Sequence, residues 1–244
     1  MRVIVTESFT ETCKIAAGMI EDVIIQKPDA RLGLATGSSA GGVYPFLIQA
    51  NESGKIDYSK VTTINLDEYI GLPPEHPQSY RYFMDTNLFD HVNIDKKNTV
   101  VASGLGDIEE SVQEFRAGLN TAPIDIQLLG IGANGHIGFN EPGDVLYSQA
   151  HVVTLDESTI DANSRFFRHR EEVPVKAITM GMGDIMKAKR LVLVATGAQK
   201  AKAIKGLVTN DELDTKNPST MIKMHPDVVV IIDRELADMA GYKN

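Results

Sequence analysis

One cysteine, no tryptophan and a shortage of positive charge set the first limits on this sequence of 244 residues. Cys13 alone can neither close an intrachain disulfide nor build a thiolate zinc site, which fits a reducing compartment. Lys and Arg number 24 against 33 Asp and Glu, a formal net charge of −9. That balance argues against nucleic acid or an anionic membrane as the main partner, though not against a local basic pocket. No apolar run approaches the roughly 20 residues that a membrane span needs. Among the longest, Val228 to Ile232 is bounded by Asp227 and Asp233. The first residues, Met1 to Glu7, lack the apolar core of a signal peptide and read as a strand. What remains is a soluble, cytoplasmic protein of ordinary globular composition, 43% hydrophobic and 23% charged, long enough to bury a sizeable core.

Short apolar runs alternate with segments of helical period almost from end to end. Residues 31–36, 61–66, 99–103, 125–131, 191–196 and 227–233 read as strands. They are rich in Val, Ile and Leu without strict polar alternation, as strands covered on both faces are. Helix starts are legible between them. Ser8 with Glu11 and Asp107 with Glu110 have capping-box spacing, and Phe9, Cys13, Ala16, Ile20 and Val23 then share one face. The alternation predicts an α/β fold: one domain over residues 1–244, a mostly parallel, open, Rossmann-like sheet with helices on both faces. Residues 67–79, 132–148 and 163–174 lack clear periodicity. Long loops in compact domains are usually functional, and ligands of open α/β sheets bind at the carboxyl ends of strands. The first two of these loops directly follow strands.

The segment Thr36, Gly37, Ser38, Ser39, Ala40, Gly41, Gly42 lies between a strand and a helix predicted over 43–50. Small residues there let backbone N–H groups approach an anion such as phosphate. A glycine-rich turn that only reverses the chain reads equally well. The same residues match G-x-S-x-G, which keeps a serine hydrolase with Ser39 as nucleophile in play. A second glycine string, Gly130 to Gly135, matches G-x-G-x-x-G, with Asp156 at the spacing of a ribose-binding acid. Gly138, Pro142 and Gly143 prevent the helix that a dinucleotide site requires, so no nicotinamide cofactor is expected. That loop instead gathers Asn134, His136, Asn140 and Glu141. A His beside a Glu suits acid/base chemistry, and no second His stands at a metal-ligand spacing. Asp67 and Glu68 end another strand, where one of the two faces the cleft as a base and the plainer role is a helix cap or ion pair. Arg165 and Lys200 are candidate phosphate partners, or else solvated surface cations.

Taken together, the Leu-Ala-Thr-Gly-Ser loop at 34–38, Leu66-Asp67-Glu68-Tyr69, the string from Gly132 to Gly143, Ser164-Arg165-Phe166-Phe167 and Gly197-Ala198-Gln199-Lys200 resemble glucosamine-6-phosphate deaminases over nearly the whole chain. The Gly-His-Ile-Gly-Phe-Asn-Glu-Pro string is the specific part. The resemblance implies an enzyme of amino-sugar catabolism, classed as a hydrolase of a C–N bond. It would interconvert glucosamine 6-phosphate plus water with fructose 6-phosphate plus ammonium, with no organic or metal cofactor. Asp67 then resembles the base moving a proton between C2 and C1. His136 resembles the ring-opening group, supported by Asn134 and Glu141. Thr36, Gly37, Ser38, Ser39 and Gly41 would hold the phosphate with Arg165 and Lys200, and a lid is expected within 158–185.

Two departures stand out. Asn134 occupies a position where many relatives carry Asp, and Ser39-Ala40 stands where they often have Thr-Pro. Longer members are hexamers with a second phosphate site fed by basic residues after the Asn-Glu-Pro turn. Here no Arg or Lys occurs from Gly143 to Ser164, so a monomer without allosteric activation is expected. The alternatives are a lactone hydrolase of the 6-phosphogluconolactonase type and a non-catalytic sugar-phosphate sensor. A sensor would need the anion cradle but not Asp67 together with His136 and Glu141.

Overall fold

In the computed structural model residues 1–243 are described. The strands are β1 (Arg2–Thr6), β2 (Arg31–Leu34), β3 (Thr62–Asn65), β4 (Asp67–Tyr69), β5 (Thr99–Val100), β6 (Ile126–Leu129), β7 (His151–Thr154), β8 (Lys176–Thr179), β9 (Leu191–Ala195) and β10 (Val228–Asp233). The helices are α1 (Phe9–Gln26), α2 (Ser38–Gly41), α3 (Tyr44–Glu52), α4 (Tyr80–Asn87), α5 (Ile108–Leu119), α6 (Glu157–Asn163), α7 (Met182–Ile185), α8 (Ala201–Val208) and α9 (Arg234–Ala240). Seven strands form one parallel sheet in the order β1-β10-β9-β6-β2-β3-β5. All seven coincide with strands expected from the sequence, most of them a residue or two shorter. The strand expected at 99–103 is cut to Thr99–Val100, because pairing to β3 stops at Val100. β2, β6 and β9 are buried at every residue, which is why they carry no polar alternation.

Helix starts follow the caps. Ser8 accepts from the Glu11 amide at 3.1 Å, while Glu11 reaches back to the Glu7 amide at 2.8 Å rather than to that of Ser8. Asp107 accepts from the amides of both Glu109 and Glu110. The buried face of α1, with Cys13, Ala16, Ala17 and Ile20, joins the core of the main sheet. At the amino end of the sheet Asp125 ties three segments together. It accepts from Lys27 and Lys189, each at 2.7 Å, and from the Arg31 amide at 2.8 Å.

A second, antiparallel sheet, β4-β8-β7, was not expected. It overturns the reading of residues 67–79 as loop from the start: Asp67 faces Thr179 and Tyr69 faces Ala177 in strand register. Three residues, two of them acidic, are too few for a period to show and run against strand propensity. At this junction Leu66 still donates to Leu34 of the main sheet at 3.1 Å and accepts from Met180 at 2.7 Å. Asp67 therefore stands where the chain leaves the large sheet for the small one. The small sheet has its own apolar cluster, in which Tyr69, Phe139, Leu155, Ile160, Val173 and Ala177 are buried.

Candidate active site

The two adjacent acids have different tasks. Glu68 is committed to structure: its carboxylate accepts from the amides of Tyr69, Tyr80 and Arg81 at 2.8 to 2.9 Å and so caps α4. Burial pushes its pKa up, and these three amides oppose the shift. Asp67 is 6% exposed, and among the described residues its carboxyl has no hydrogen-bond or ion-pair partner. Burial first, then the charge of Glu68, holds its pKa well above the ordinary carboxylate range. When ionised, such a group is a stronger base than a free Asp. Gly138, at φ +58°, brings backbone against it; a Cβ there would lie 3.4 Å from Asp67 Oδ2 and 3.0 Å from Thr179 Oγ1.

The loop after β6 holds the second group. Its turn closes through the Gly135 amide on Gly132 O at 3.0 Å and the Gly132 amide on His136 O at 3.1 Å. No helix opens there, so the dinucleotide pattern stays without its context. His136 Nδ1 lies 3.2 Å from Glu141 Oε2. Asn134 binds both: its Nδ2 donates to Glu141 Oε2 at 2.9 Å, and its Oδ1 accepts from the His136 amide at 3.1 Å. Burial pushes Glu141 up, but its contacts with His136, Thr159 and Asn134 outweigh burial and leave its pKa below the usual value. The imidazole packs over Gly132, where a Cβ would come within 2.5 Å of Nε2. Asn140 is turned away from this group, donating to Ile137 O and Met180 O.

Phe139 connects this loop to the Asp67 strand. Its ring centroid lies 5.5 Å from that of Tyr69, 5.9 Å from Tyr80 and 6.2 Å from His136. The Tyr80 ring also lies 4.9 Å from that of Tyr69, and burial pushes its phenol's pKa well up. Sequence reasoning missed Tyr80, and also Thr159, whose hydroxyl reaches His136 Nδ1 at 3.3 Å. Neither residue lies in a motif; folding alone brings them in.

The glycine loop forms the third group. Gly37, at φ +88°, turns the chain out of β2 into α2. Among the described residues, the amides of Ser38, Ser39 and Ala40 donate to no backbone carbonyl. The Ser39 hydroxyl accepts from Lys200 Nζ at 2.9 Å. Its partner is thus a lysine and not an imidazole, so the Ser-His-Asp arrangement that the G-x-S-x-G pattern suggested is not formed at Ser39. Burial, then the nearby charge of Arg165, lowers the Lys200 pKa to about 8, with Asp233 opposing. Arg165 lies on an exposed turn, its guanidinium 4.7 Å from the Phe166 ring. Beneath the loop, Cys13 donates to Ser39 O, and burial raises its thiol to about 11, so it stays protonated and inert.

Residues 6–231 match the model of the family described as glucosamine-6-phosphate isomerases/6-phosphogluconolactonase. A glucosamine-6-phosphate deaminase of Thermoanaerobacter pseudethanolicus is 52% identical over 241 residues, covering 98% of this chain and 95% of that protein. One from Clostridium beijerinckii is 51% identical over 240 residues, covering 98% and 99%. A solved structure of a monomeric glucosamine-6-phosphate deaminase superposes with a TM-score of 0.95 at 40% identity, over 98% of this chain and 100% of that one. A 6-phosphogluconolactonase from Trypanosoma cruzi gives 0.76 at 18% identity over 97% and 96%, a likeness of fold alone.

Proposed function

The chain belongs to the family of glucosamine-6-phosphate isomerases and 6-phosphogluconolactonases, and from that premise we infer how its site works as a glucosamine-6-phosphate deaminase. The reaction converts glucosamine 6-phosphate and water into fructose 6-phosphate and ammonium. The observation that carries the reading is a buried, unpaired Asp67 beside the loop of the His136–Glu141 pair. His136 moves a proton from the anomeric hydroxyl to the ring oxygen and opens the sugar. Ionised Glu141 balances the imidazolium, and Asn134, being neutral, orients both without sharing the charge. Asp67 then takes the C2 proton while the substrate's ammonium gives a proton to O1, leaving an enolamine, and Asp67 delivers its proton to C1 to give the ketiminium. Water adds at C2, its two protons pass to the nitrogen and ammonium leaves, so atoms and charge balance.

The phosphate sits on the amides of the 36–41 loop, with Lys200 and Arg165 supplying charge. Residues 158–175 cover the cleft as a lid. From 176 the chain is fixed between β4 and β7, which leaves little freedom beyond that point. Lys200 gives this account a pH dependence. The ammonium is present below about 8 and lost above it. Phosphate affinity therefore falls as pH rises, and kcat/KM is expected to drop about five-fold from pH 8 to pH 9. Lys200→Arg keeps its charge throughout and should flatten that drop. A wild-type profile that is level to pH 9 would contradict the assignment.

The enzyme works as a monomer in the cytoplasm, with hyperbolic kinetics and no activation by N-acetylglucosamine 6-phosphate. Between Gly143 and Ser164 only His151 can carry positive charge, and burial lowers its pKa. The cations that reach this stretch from elsewhere are already taken, Lys216 by Asp144 and Arg170 by Glu157 and Asp161, and Asp156 would repel a phosphate dianion. Lys96, a cation elsewhere on the surface, is already paired with Asp90 and Asp85. Rates measured with and without the acetylated sugar phosphate should superpose; a sigmoidal curve that becomes hyperbolic on its addition would overturn the point. The activity itself is tested by incubating the protein with glucosamine 6-phosphate and, separately, with 6-phosphogluconolactone. Ammonium and fructose 6-phosphate from the first, without accelerated opening of the second, is the expected result. The reverse pattern would make the chain a lactonase.

A further inference from the structure

We propose that Thr159 is a positioning residue for His136, its hydroxyl sharing the Nδ1 position with Glu141 so that Nε2 alone is left for chemistry. The inference rests on the deaminase reading for its kinetic consequence and on geometry for the rest. Two oxygens face one ring nitrogen: Glu141 Oε2 at 3.2 Å and Thr159 Oγ1 at 3.3 Å. Both contacts are long for a single N–H···O bond, and together they make a forked seat for an Nδ1 proton. An ionised carboxylate only accepts, so Nδ1 must be the protonated nitrogen. A hydroxyl rotates, so it can accept from Nδ1–H while turning its own proton to the neighbouring carboxylate.

Thr159 is 3% exposed, and its side chain points from the first turn of α6 into the space between His136 and Glu141. Its neighbour Ser158 lies 3.5 Å from Asn134 Nδ2, and the Asp156 amide reaches Glu141 Oε1 at 3.4 Å. The start of α6 is therefore built against this pair. A threonine that merely filled space would need no such alignment, and valine would replace it without consequence. The same short helix ends at Asn163, which donates to the Tyr69 hydroxyl at 2.8 Å. The hydroxyl is thereby anchored at both ends of its helix.

The test compares Thr159→Val, which keeps the shape, with Thr159→Ser, which keeps the hydroxyl. Histidine side-chain nitrogen–proton correlation spectra of the free protein report the His136 tautomer, with His136→Gln identifying its signals. The wild type and Thr159→Ser should show the Nδ1–H form, and Thr159→Val a mixture. On the cyclic sugar, Thr159→Val should lose roughly ten-fold in kcat with KM within about two-fold, and Thr159→Ser should recover most of it. A Thr159→Val protein with the wild-type tautomer overturns the proposal. That spectrum needs no substrate, so it decides the matter even where the wild type fails to release ammonium, a result that would sink the deaminase reading alone.

Discussion

Asp67→Asn is expected to lose roughly a thousand-fold in turnover while still binding substrate, because the amide keeps the size of the carboxyl but offers no basic oxygen. Isotope exchange at C2 in heavy water should disappear with turnover, and KM should change little. The variant should also be at least as stable as the wild type. Burial and Glu68 raise the Asp67 pKa, so the folded protein binds that proton more tightly than the unfolded chain does. Stability contributed by the proton is full below about pH 4 and is lost as pH rises toward the folded value. Removing the ionisation removes that loss, and the gain in Tm should grow from pH 4 upward. Exchange near the wild-type rate in Asp67→Asn would assign the proton transfer to another group. A variant less stable at pH 8 than at pH 4, relative to wild type, would show that the carboxylate is satisfied in the fold.

His136→Gln is expected to separate two steps. Turnover of the cyclic sugar should fall about a hundred-fold, while an open-chain analogue loses only a few-fold. Ring opening needs a group that takes one proton and gives another near neutral pH, which an amide cannot do. On the proposed mechanism the later transfer from C2 to C1 falls to Asp67, on β4 and outside the His136 loop. The Gln side chain still fits over Gly132 and within reach of Asn134 and Glu141, so the fold should tolerate it. Equal losses on the two substrates would take His136 out of ring opening.

What was legible in the sequence, and what was not, has a physical pattern. The strands of the large sheet announce themselves because β2, β6 and β9 are covered on both faces and are mostly apolar, Arg31 and Gln127 being their only polar residues. The His136 loop announces itself because its glycines serve close backbone approaches: Gly132 makes room for the imidazole, Gly138 for Asp67. The small sheet is silent, since β4 has three residues and the exposed face of β7 weakens its apolar signal. With it went Thr159 and Tyr80, which enter the site only because that sheet and its helix fold over the loop. Asp67 and Glu68 could not be told apart as neighbours in sequence; the α4 amides that claim Glu68 come from twelve and thirteen residues on. Lys200 reads only as a candidate cation in the sequence, because its partner Ser39 stands 161 residues earlier in the chain.

If Asp67 is the base, one chain both breaks the C2–H bond and releases the amine. Glucosamine 6-phosphate carrying deuterium at C2 tests it most directly, with ammonium and product label followed together. Equal amounts of ammonium and fructose 6-phosphate are expected, with a slowed reaction and deuterium either at C1 in a single prochiral position or lost to solvent, and none of this in Asp67→Asn. Ammonium released while deuterium stays on C2, or no ammonium at all, would contradict it.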